Sequence, residues 1–450
     1  MKIIFSNHLQ IENAPLDLKS EIKNALTILN PAWTENDKMD RWNGSTPRIL
    51  HYYEENSSGL ILPRGFFPQL IGIAKHFGEG FQIEDRRGVL PEVNFQFHGQ
   101  LRPFQENAVR DLLSRDMGTL VAPTGSGKTV IALYMIAERR QPALIITHTK
   151  ELLNQWTIRI EEFLGIPSNE IGRIGDGEKI IGKKITVCLI QTLYKCATQV
   201  SPNVGYLIVD ECHRTPARTF TEAVGTFDCK FITGLSATPW RRDKLSKLIF
   251  WYVGNVVHEV DKVNLIQTGD VLPAEVIWRE THFLPDSDPA TQYSQMLSEL
   301  TEDRARNALI AEDVAREAGN GDGICLVLSD RKAHCSTIQG LLKQRGVKSE
   351  LLTGDLPDEE RKTIVDKLNG GRIKVLVATG QLIGEGFDCK ELSTLFLTTP
   401  IKFDGRLTQY LGRVLRPVRG KEKARVYDYV DKCVGVLKAA ATSRQRVYGS

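Results

Sequence analysis

Ala122-Pro123-Thr124-Gly125-Ser126-Gly127-Lys128-Thr129 is a glycine-rich turn set between the apolar run Thr119-Leu120-Val121 and a segment of helical period, Val130 to Ile136. A strand that runs through such a turn into a helix aims several backbone N–H groups, and the positive end of the helix dipole, at one point. That point binds phosphate. Thr124, Gly125, Ser126 and Gly127 form the cradle, Lys128 reaches the β- and γ-phosphates of a nucleotide, and the Thr129 hydroxyl ligates Mg²⁺. Ala122 stands where the general pattern has its first glycine. About 80 residues further on, the apolar run Leu207-Ile208-Val209 delivers two carboxylates, Asp210 and Glu211, at its end. Hydrolysis of a γ-phosphate needs a metal to neutralise charge and a carboxylate to orient and deprotonate water. Asp210 suits the first task and Glu211 the second. The expected ligands are a nucleoside triphosphate and Mg²⁺.

The elements that must position these groups follow from periodicity. Apolar runs Ala143 to Thr147, Ile185 to Leu189, Tyr206 to Val209 and Phe231 to Gly234 each lead into a polar turn and usually a helical segment. Such alternation predicts a parallel sheet with helices on both faces and ligands at the carboxyl ends of its strands. A second alternation predicts a helical stretch Ala290 to Ala318 and helices Ala333 to Gln344, Asp358 to Leu368 and Gly405 to Leu415. Its strands are Gly323 to Leu328, Ser349 to Leu352, Lys374 to Ala378, Thr394 to Thr398 and Ala424 to Tyr429. It has no phosphate loop, so one nucleotide is expected in the cleft between two domains.

Residues 1–95 have a different texture: short β-like runs (Lys2 to Phe5, Arg48 to Tyr53), a helical stretch Leu16 to Leu29 and an amphipathic one, Phe67 to Phe77. The predicted fold class is α/β: two tandem parallel-sheet domains, 96–265 and 266–450, preceded by a small α+β domain, 1–95. In that first domain Arg41, Trp42, Arg48 and Arg64 mix basic and aromatic character, which suits stacking on bases with phosphates nearby.

With 41% apolar and 25% charged residues the chain reads as soluble and globular. No apolar run approaches the ~20 residues that span a bilayer, and the start lacks a signal-peptide core, so an intracellular protein without membrane contact is expected. The eight cysteines include no Cys-x-x-Cys pair. Reduced thiols are expected, and neither zinc nor an iron–sulfur cluster. A net charge of only +3 means that a polyanion must be held by local patches.

The pair Asp210-Glu211-x-His213 together with the loop 122–129 resembles the superfamily 2 helicases of the DExH type, and further motifs come in that family's order. Gln105, in Leu101-Arg102-Pro103-Phe104-Gln105, resembles the adenine-reading glutamine, and Arg102 joins it at the nucleotide. Gly234-Leu235-Ser236-Ala237-Thr238-Pro239 resembles the Ser-Ala-Thr motif that couples hydrolysis to domain movement, with His213, Ser236 and Thr238 as the coupling residues. Thr379 and Gly384-Glu385-Gly386-Phe387-Asp388 resemble a motif touching nucleic acid and ribose. Gln409-Tyr410-Leu411-Gly412-Arg413-Val414-Leu415-Arg416 resembles the motif bearing the arginine fingers, Arg413 and Arg416. Spaced three apart on one expected helix face, both guanidinium groups could point at one phosphate.

In this frame Gly386, Asp388 and Gln409 belong with the nucleotide. Thr147, Lys150, Gln191, Thr192, Thr353, Gly354 and Thr379 are the candidates for sequence-independent phosphate contacts. The resemblance is greatest to the UvsW and XPB group of DNA helicases: Arg241-Arg242-Asp243 resembles that group's Arg-Glu-Asp element, and Trp42-Asn43-Gly44 through Leu62-Pro63-Arg64-Gly65 resembles its N-terminal domain. It implies an ATP-driven helicase or translocase on single-stranded, duplex or branched DNA, in repair, recombination or replication restart, nucleoid-associated in a bacterium or phage. An RNA helicase and the motor subunit of a restriction or defence complex share these motifs. No nuclease, methyltransferase or zinc-finger signature is seen.

Overall fold

The computed structural model describes residues 1–213, 217–238, 245–320, 323–380, 389, 391–401, 404–417, 421 and 423–449. They form two compact units, one of Met1–Ala122 with Gly127–Val260, the other of Pro123–Ser126 with Asp261–Ser450. Among the expected site residues, Gly386, Asp388 and the side chain of Gln409 lie outside the described residues, as do Pro239, Arg241, Arg242 and Asp243.

In the first unit the apolar runs become an eight-stranded sheet. Its spatial order is Glu178–Ile180, Gly172–Gly175, Ile185–Leu189, Ala143–Thr147, Tyr206–Asp210, Phe231–Ser236, Met117–Val121, Val256–Glu259. All pairs are parallel except the outermost, Glu178–Ile180 with Gly172–Gly175. Every residue of Ala143–Thr147 and Tyr206–Asp210 is buried, the continuous apolar pattern of a sheet covered on both faces. Register sets which strand ends meet. Asp210 pairs with Leu235 and Ser236 with Val121, so three strands that come from distant parts of the chain end side by side.

Residues 1–85 build a five-stranded mixed sheet ordered Glu54–Asn56, Gly59–Pro63, His8–Glu12, Lys2–Phe5, Gln82–Asp85, with only the last pair parallel. The helix expected over Leu16 to Leu29 stops at Ala25, and Thr27–Leu29 pairs instead with Ile49–His51. The core of this sheet (Ile3, Leu9, Ile11, Ile22, Leu62, Phe66) continues without a break into Leu245, Leu248 and Trp251. The turn Pro63-Arg64-Gly65 is pressed against the helix Lys247–Val253: a β-carbon on Gly65 would stand 2.3 Å from the Phe250 carbonyl oxygen. Arg64 is therefore not on a nucleic-acid surface. It is 2% exposed, and its Nη1 donates to the carbonyls of Phe227 (3.0 Å) and Cys229 (2.9 Å). A guanidinium with a long apolar stem can serve as an internal clasp for carbonyls that would otherwise be buried without donors.

The second unit is a six-stranded, wholly parallel sheet ordered Ala274–Thr281, Ala424–Asp431, Leu392–Leu397, Ile324–Ser329, Val375–Thr379, Ser349–Leu352. Its core holds Val327, Ile338, Val377, Phe396 and Tyr427. The helix expected over 290–318 is two, Tyr293–Glu302 and Arg304–Asn320. Asp303 divides them because its Oδ1 accepts from the Arg306 N–H at 2.7 Å, capping a new helix rather than continuing the old one. Thus the architecture is two tandem RecA-like parallel sheets with a small α+β region ahead of them. Seven cysteines are buried, outside any disulfide, and Cys433 is exposed. Among the described residues no helix is long and apolar enough to cross a membrane.

Candidate nucleotide site and nucleic-acid contacts

The glycine-rich loop leaves the sheet at Ala122, whose N–H donates to the Ser236 carbonyl at 2.9 Å, and enters the helix Lys128–Arg139. Gly125 (φ +90°) and Gly127 (φ +85°) adopt left-handed backbone that lets the N–H groups turn inward. Gly127 is required for a second reason, since a β-carbon there would lie 2.4 Å from Gln105 Nε2. Gln105 is buried against the loop and its Oε1 accepts from the Arg102 N–H at 2.9 Å. Ser126 Oγ donates to the Pro123 carbonyl at 2.7 Å, which holds the turn closed. Thr124 and Thr129 are half-buried and Gly125 is exposed.

Lys128 extends back under the loop: Nζ donates to the Ala122 carbonyl at 3.0 Å and stands 4.0 Å from Glu211 Oε1. Glu211 begins the turn after its strand in left-handed backbone (φ +46°), uncommon for a residue with a β-carbon and found where a site requires a particular side-chain direction. Asp210 is buried. Its Oδ2 accepts from the Trp156 indole N–H at 2.8 Å and its Oδ1 from the Glu211 N–H at 3.0 Å. Burial, then the adjoining Glu211, pushes the Asp210 carboxyl pKa upward. A carboxylate disfavoured in this way gains by facing a divalent cation. With the Thr129 hydroxyl it offers the hard oxygen donors that suit Mg²⁺.

His213 Nδ1 lies 2.9 Å from Ser236 Oγ and 3.4 Å from Glu211 Oε2. Ser236 Oγ also accepts from the Thr238 N–H at 3.0 Å. The three residues expected to couple hydrolysis to movement thus form one connected set touching Glu211. Trp156 escaped sequence reasoning, because nothing in the spacing of a tryptophan 54 residues ahead of an aspartate announces their hydrogen bond.

The nucleic-acid candidates divide. Leu189 pairs with Thr147, and Leu352 with Ala378, so the ends bearing Thr147 and Gln191-Thr192 are neighbours, as are those bearing Thr353-Gly354 and Thr379. Gln191 and Gly354 are exposed, Thr192 and Thr379 half-buried, and Thr353 buried. Thr147 does not face a phosphate: it is 1% exposed and its Oγ1 donates to the Cys188 carbonyl at 3.0 Å, tying two strand ends together. Lys150 pairs with Asp176 at 3.0 Å. Arg41 is exposed, Trp42 is 92% exposed, and Arg48 lies over the Trp33 ring at 5.1 Å.

In the second unit Arg413 is buried in the last turn of the helix Asp404–Val414, whereas Arg416 lies beyond its end. The two do not share a helix face. Pro417 comes next, and the residue before a proline is pushed out of helical backbone.

Together the fold and the phosphate-binding loop define a P-loop nucleoside triphosphatase of RecA-like architecture. Residues 98–241 match the family described as type III restriction enzyme, res subunit, and residues 305–418 match the helicase conserved C-terminal domain. The chain is 25% identical over 445 residues to the ATP-dependent DNA helicase uvsW of Enterobacteria phage T4, covering 91% of this chain and 86% of that one. It is 34% identical over 189 residues to the DNA 3'-5' translocase XPB2 of Sulfurisphaera tokodaii, covering 41% and 42%. The helicase domain of Pyrococcus furiosus Hef shares the fold, with a TM-score of 0.52 at 16% identity over 76% of this chain and 98% of that one. The chain belongs to the superfamily 2 helicases, in the UvsW and XPB group.

Proposed function

We propose that this ATP-dependent helicase acts on DNA, as a helicase or translocase on duplex or branched substrates inside the cell, in repair, recombination or replication restart. The observation that carries the reading is the convergence of Lys128, Asp210, Glu211, His213 and Ser236 at the ends of adjacent strands. The choice of DNA is supported by the names of two relatives, a DNA helicase and a DNA translocase. Lys128 holds the β- and γ-phosphates of ATP, Gln105 and Arg102 border the base, and Glu211 orients the attacking water. Asp210 and Thr129 would hold Mg²⁺, which neutralises phosphate charge when bound.

His213, Ser236 and Thr238 relay the state of Glu211 into the strand Phe231–Ser236. Arg413 and Arg416 supply charge to the transferring phosphoryl group, and Gly386, Asp388 and Gln409 complete the nucleotide contacts. Lys150, Gln191, Thr192, Thr353, Gly354 and Thr379 hold one strand by its phosphates, and Arg41 and Trp42 of the N-terminal region make further contacts with the nucleic acid. The working divisions are 1–95, 96–265 and 266–450.

The match to a restriction-enzyme subunit favours one alternative, a motor that translocates on duplex without separating it. Hydrolysis stimulated by DNA and RNA oligonucleotides of one sequence, measured beside strand displacement on forks, Holliday junctions, overhangs and RNA duplexes, tests both. Stimulation by RNA alone overturns the DNA reading, and DNA stimulation without displacement favours the translocating motor.

A further inference from the structure

We propose that Tyr410 is a positioning residue that ties the strand end assigned to nucleic acid, Thr379-Gly380, to the helix carrying Arg413, so that grip on the strand is felt at the fingers. The inference rests on the roles proposed above for Thr379, Arg413 and Arg416.

Tyr410 lies within Gln409-Tyr410-Leu411-Gly412-Arg413, and nothing in the hydrolytic chemistry calls for a phenol there. Its packing does not explain the hydroxyl either. Leu407, Tyr410, Leu411 and Val414 form the buried stripe of the helix Asp404–Val414, and Tyr410 is only 2% exposed. A leucine or phenylalanine would serve that stripe, whereas a buried hydroxyl must find a partner. Tyr410 Oη finds it in the Gly380 carbonyl, to which it donates at 2.7 Å. Gly380 directly follows Thr379, the last residue of the strand Val375–Thr379.

The fit at this contact is closed. A β-carbon on Gly380 would stand 2.5 Å from Tyr410 Oη and 3.0 Å from Asp330 Oδ1, so glycine is what lets the phenol approach the backbone. On the other side, Tyr410 and Arg413 are three residues apart on one helix and therefore neighbours on its surface. Both are buried, so neither swings independently of that helical turn. A shift of the Gly380 carbonyl on binding a phosphate backbone thus passes through one hydrogen bond and one rigid turn to Arg413. A phenylalanine ring fills the same space and lacks the hold on the carbonyl.

The test is ATP turnover with and without a saturating oligodeoxynucleotide, in the full chain, for wild type, Tyr410→Phe, Gly380→Ala and the double variant, with melting temperatures alongside. Tyr410→Phe is expected to keep basal turnover and the KM for ATP within about twofold of wild type while stimulation by DNA falls at least about fivefold, the lower range of an allosteric coupling. Gly380→Ala is expected to lose stimulation too. The double variant is expected to lose less than the sum of the two single losses, because removing the hydroxyl takes away the nearer of the added methyl's two close contacts. Full stimulation in Tyr410→Phe, a parallel fall of basal rate, stimulated rate and melting temperature, or additive losses in the double variant would each overturn the coupling. A wild type that no DNA or RNA stimulates overturns the nucleic-acid reading itself, and the coupling with it.

Discussion

The two parallel sheets of this chain treat buried charge in opposite ways. Among the described residues of the second unit each deeply buried aspartate is met by arginine. Asp313 is bound by Arg279 (2.8 Å) and Arg316 (2.5 Å), Asp428 by Arg444 (2.6 Å), and Asp431 by Arg306 (2.8 Å), with Thr281 Oγ1 donating to Asp431 as well. His334 is equally engaged, Nδ1 with Ser329 Oγ at 3.0 Å and Nε2 with Asn307 Oδ1 at 2.8 Å. In the first unit Asp210 draws its hydrogen bonds from an indole and a backbone N–H, stands beside a second carboxylate, and has its pKa raised. Closed ion pairs cost desolvation and are repaid within the fold, so they serve architecture. A carboxylate left electrostatically unfavourable at the end of a strand is stabilised when a cation arrives, which is how a site differs from a core.

That contrast is broken most directly at the first sheet. Glu211→Gln is expected to lower ATP turnover by about three orders of magnitude while ATP still binds, and Lys128→Ala to lose both. Neither should shift the melting temperature much if these charges serve chemistry. Wild-type turnover in either variant would sink the site. Arg413→Ala or Arg416→Ala should reduce turnover by at least about two orders of magnitude with ATP affinity less altered, since a finger acts on charge that develops in the transition state. Near-normal rates in both, with DNA present, would remove the second sheet from the reaction.

At the second sheet the expected loss is stability. Arg306→Leu strands Asp431 and should cost about 3–5 kcal/mol in urea unfolding, whereas replacing both partners by apolar residues should recover much of it. His334 sharpens the same point through pH. Burial, with Arg306 nearby, lowers its pKa from 6.5 to about 3, so the unfolded chain takes up a proton that the native state refuses. Its contribution is intact above pH 6.5 and is lost as pH falls toward 3, at about 1.4 kcal/mol per pH unit. Between pH 7 and 5 wild type should therefore lose about 2 kcal/mol more than His334→Gln. Identical pH profiles would show that the imidazole is not held neutral.

The smallest effects separate two arginines of the N-terminal region. Arg64→Ala deprives the Phe227 and Cys229 carbonyls of their donor and should cost about 1–3 kcal/mol for each group left unsatisfied, without changing the salt dependence of DNA binding. Arg41→Ala should leave stability unchanged and flatten the log–log salt slope by about 0.7 to 0.9 if that exposed guanidinium meets a phosphate. Parallel lines for Arg41→Ala across a salt series on a forked DNA would rule out that contact.

Much of this protein could be read from local sequence. The loop 122–129, the acid pair at 210–211 and the strands Ala143–Thr147, Ile185–Leu189 and Ser349–Leu352 lie where periodicity and glycine placement put them. Each depends on neighbours along the chain, and an apolar run or a left-handed glycine acts through the adjacent backbone. The edge strand Ala274–Thr281 and the helix Gly435–Gly449 did not stand out. The first is only half-buried, and the second is anchored by Arg444 and Tyr448 on Asp428, a bond across the unit that no apolar period reports.

What only the tertiary structure decided is which side of the surface a polar residue occupies. Arg64 and Thr147 have the residue types of phosphate contacts, yet both spend their donors on buried carbonyls, while Arg41 stands in solvent. Likewise strand order alone sets Ser236 beside Val121 and brings His213 to its hydroxyl, and only packing delivers Trp156 to Asp210. Residue type sets which hydrogen bonds a side chain can make. Burial and the partners met from distant segments set which ones it does make, and those are properties of the folded chain.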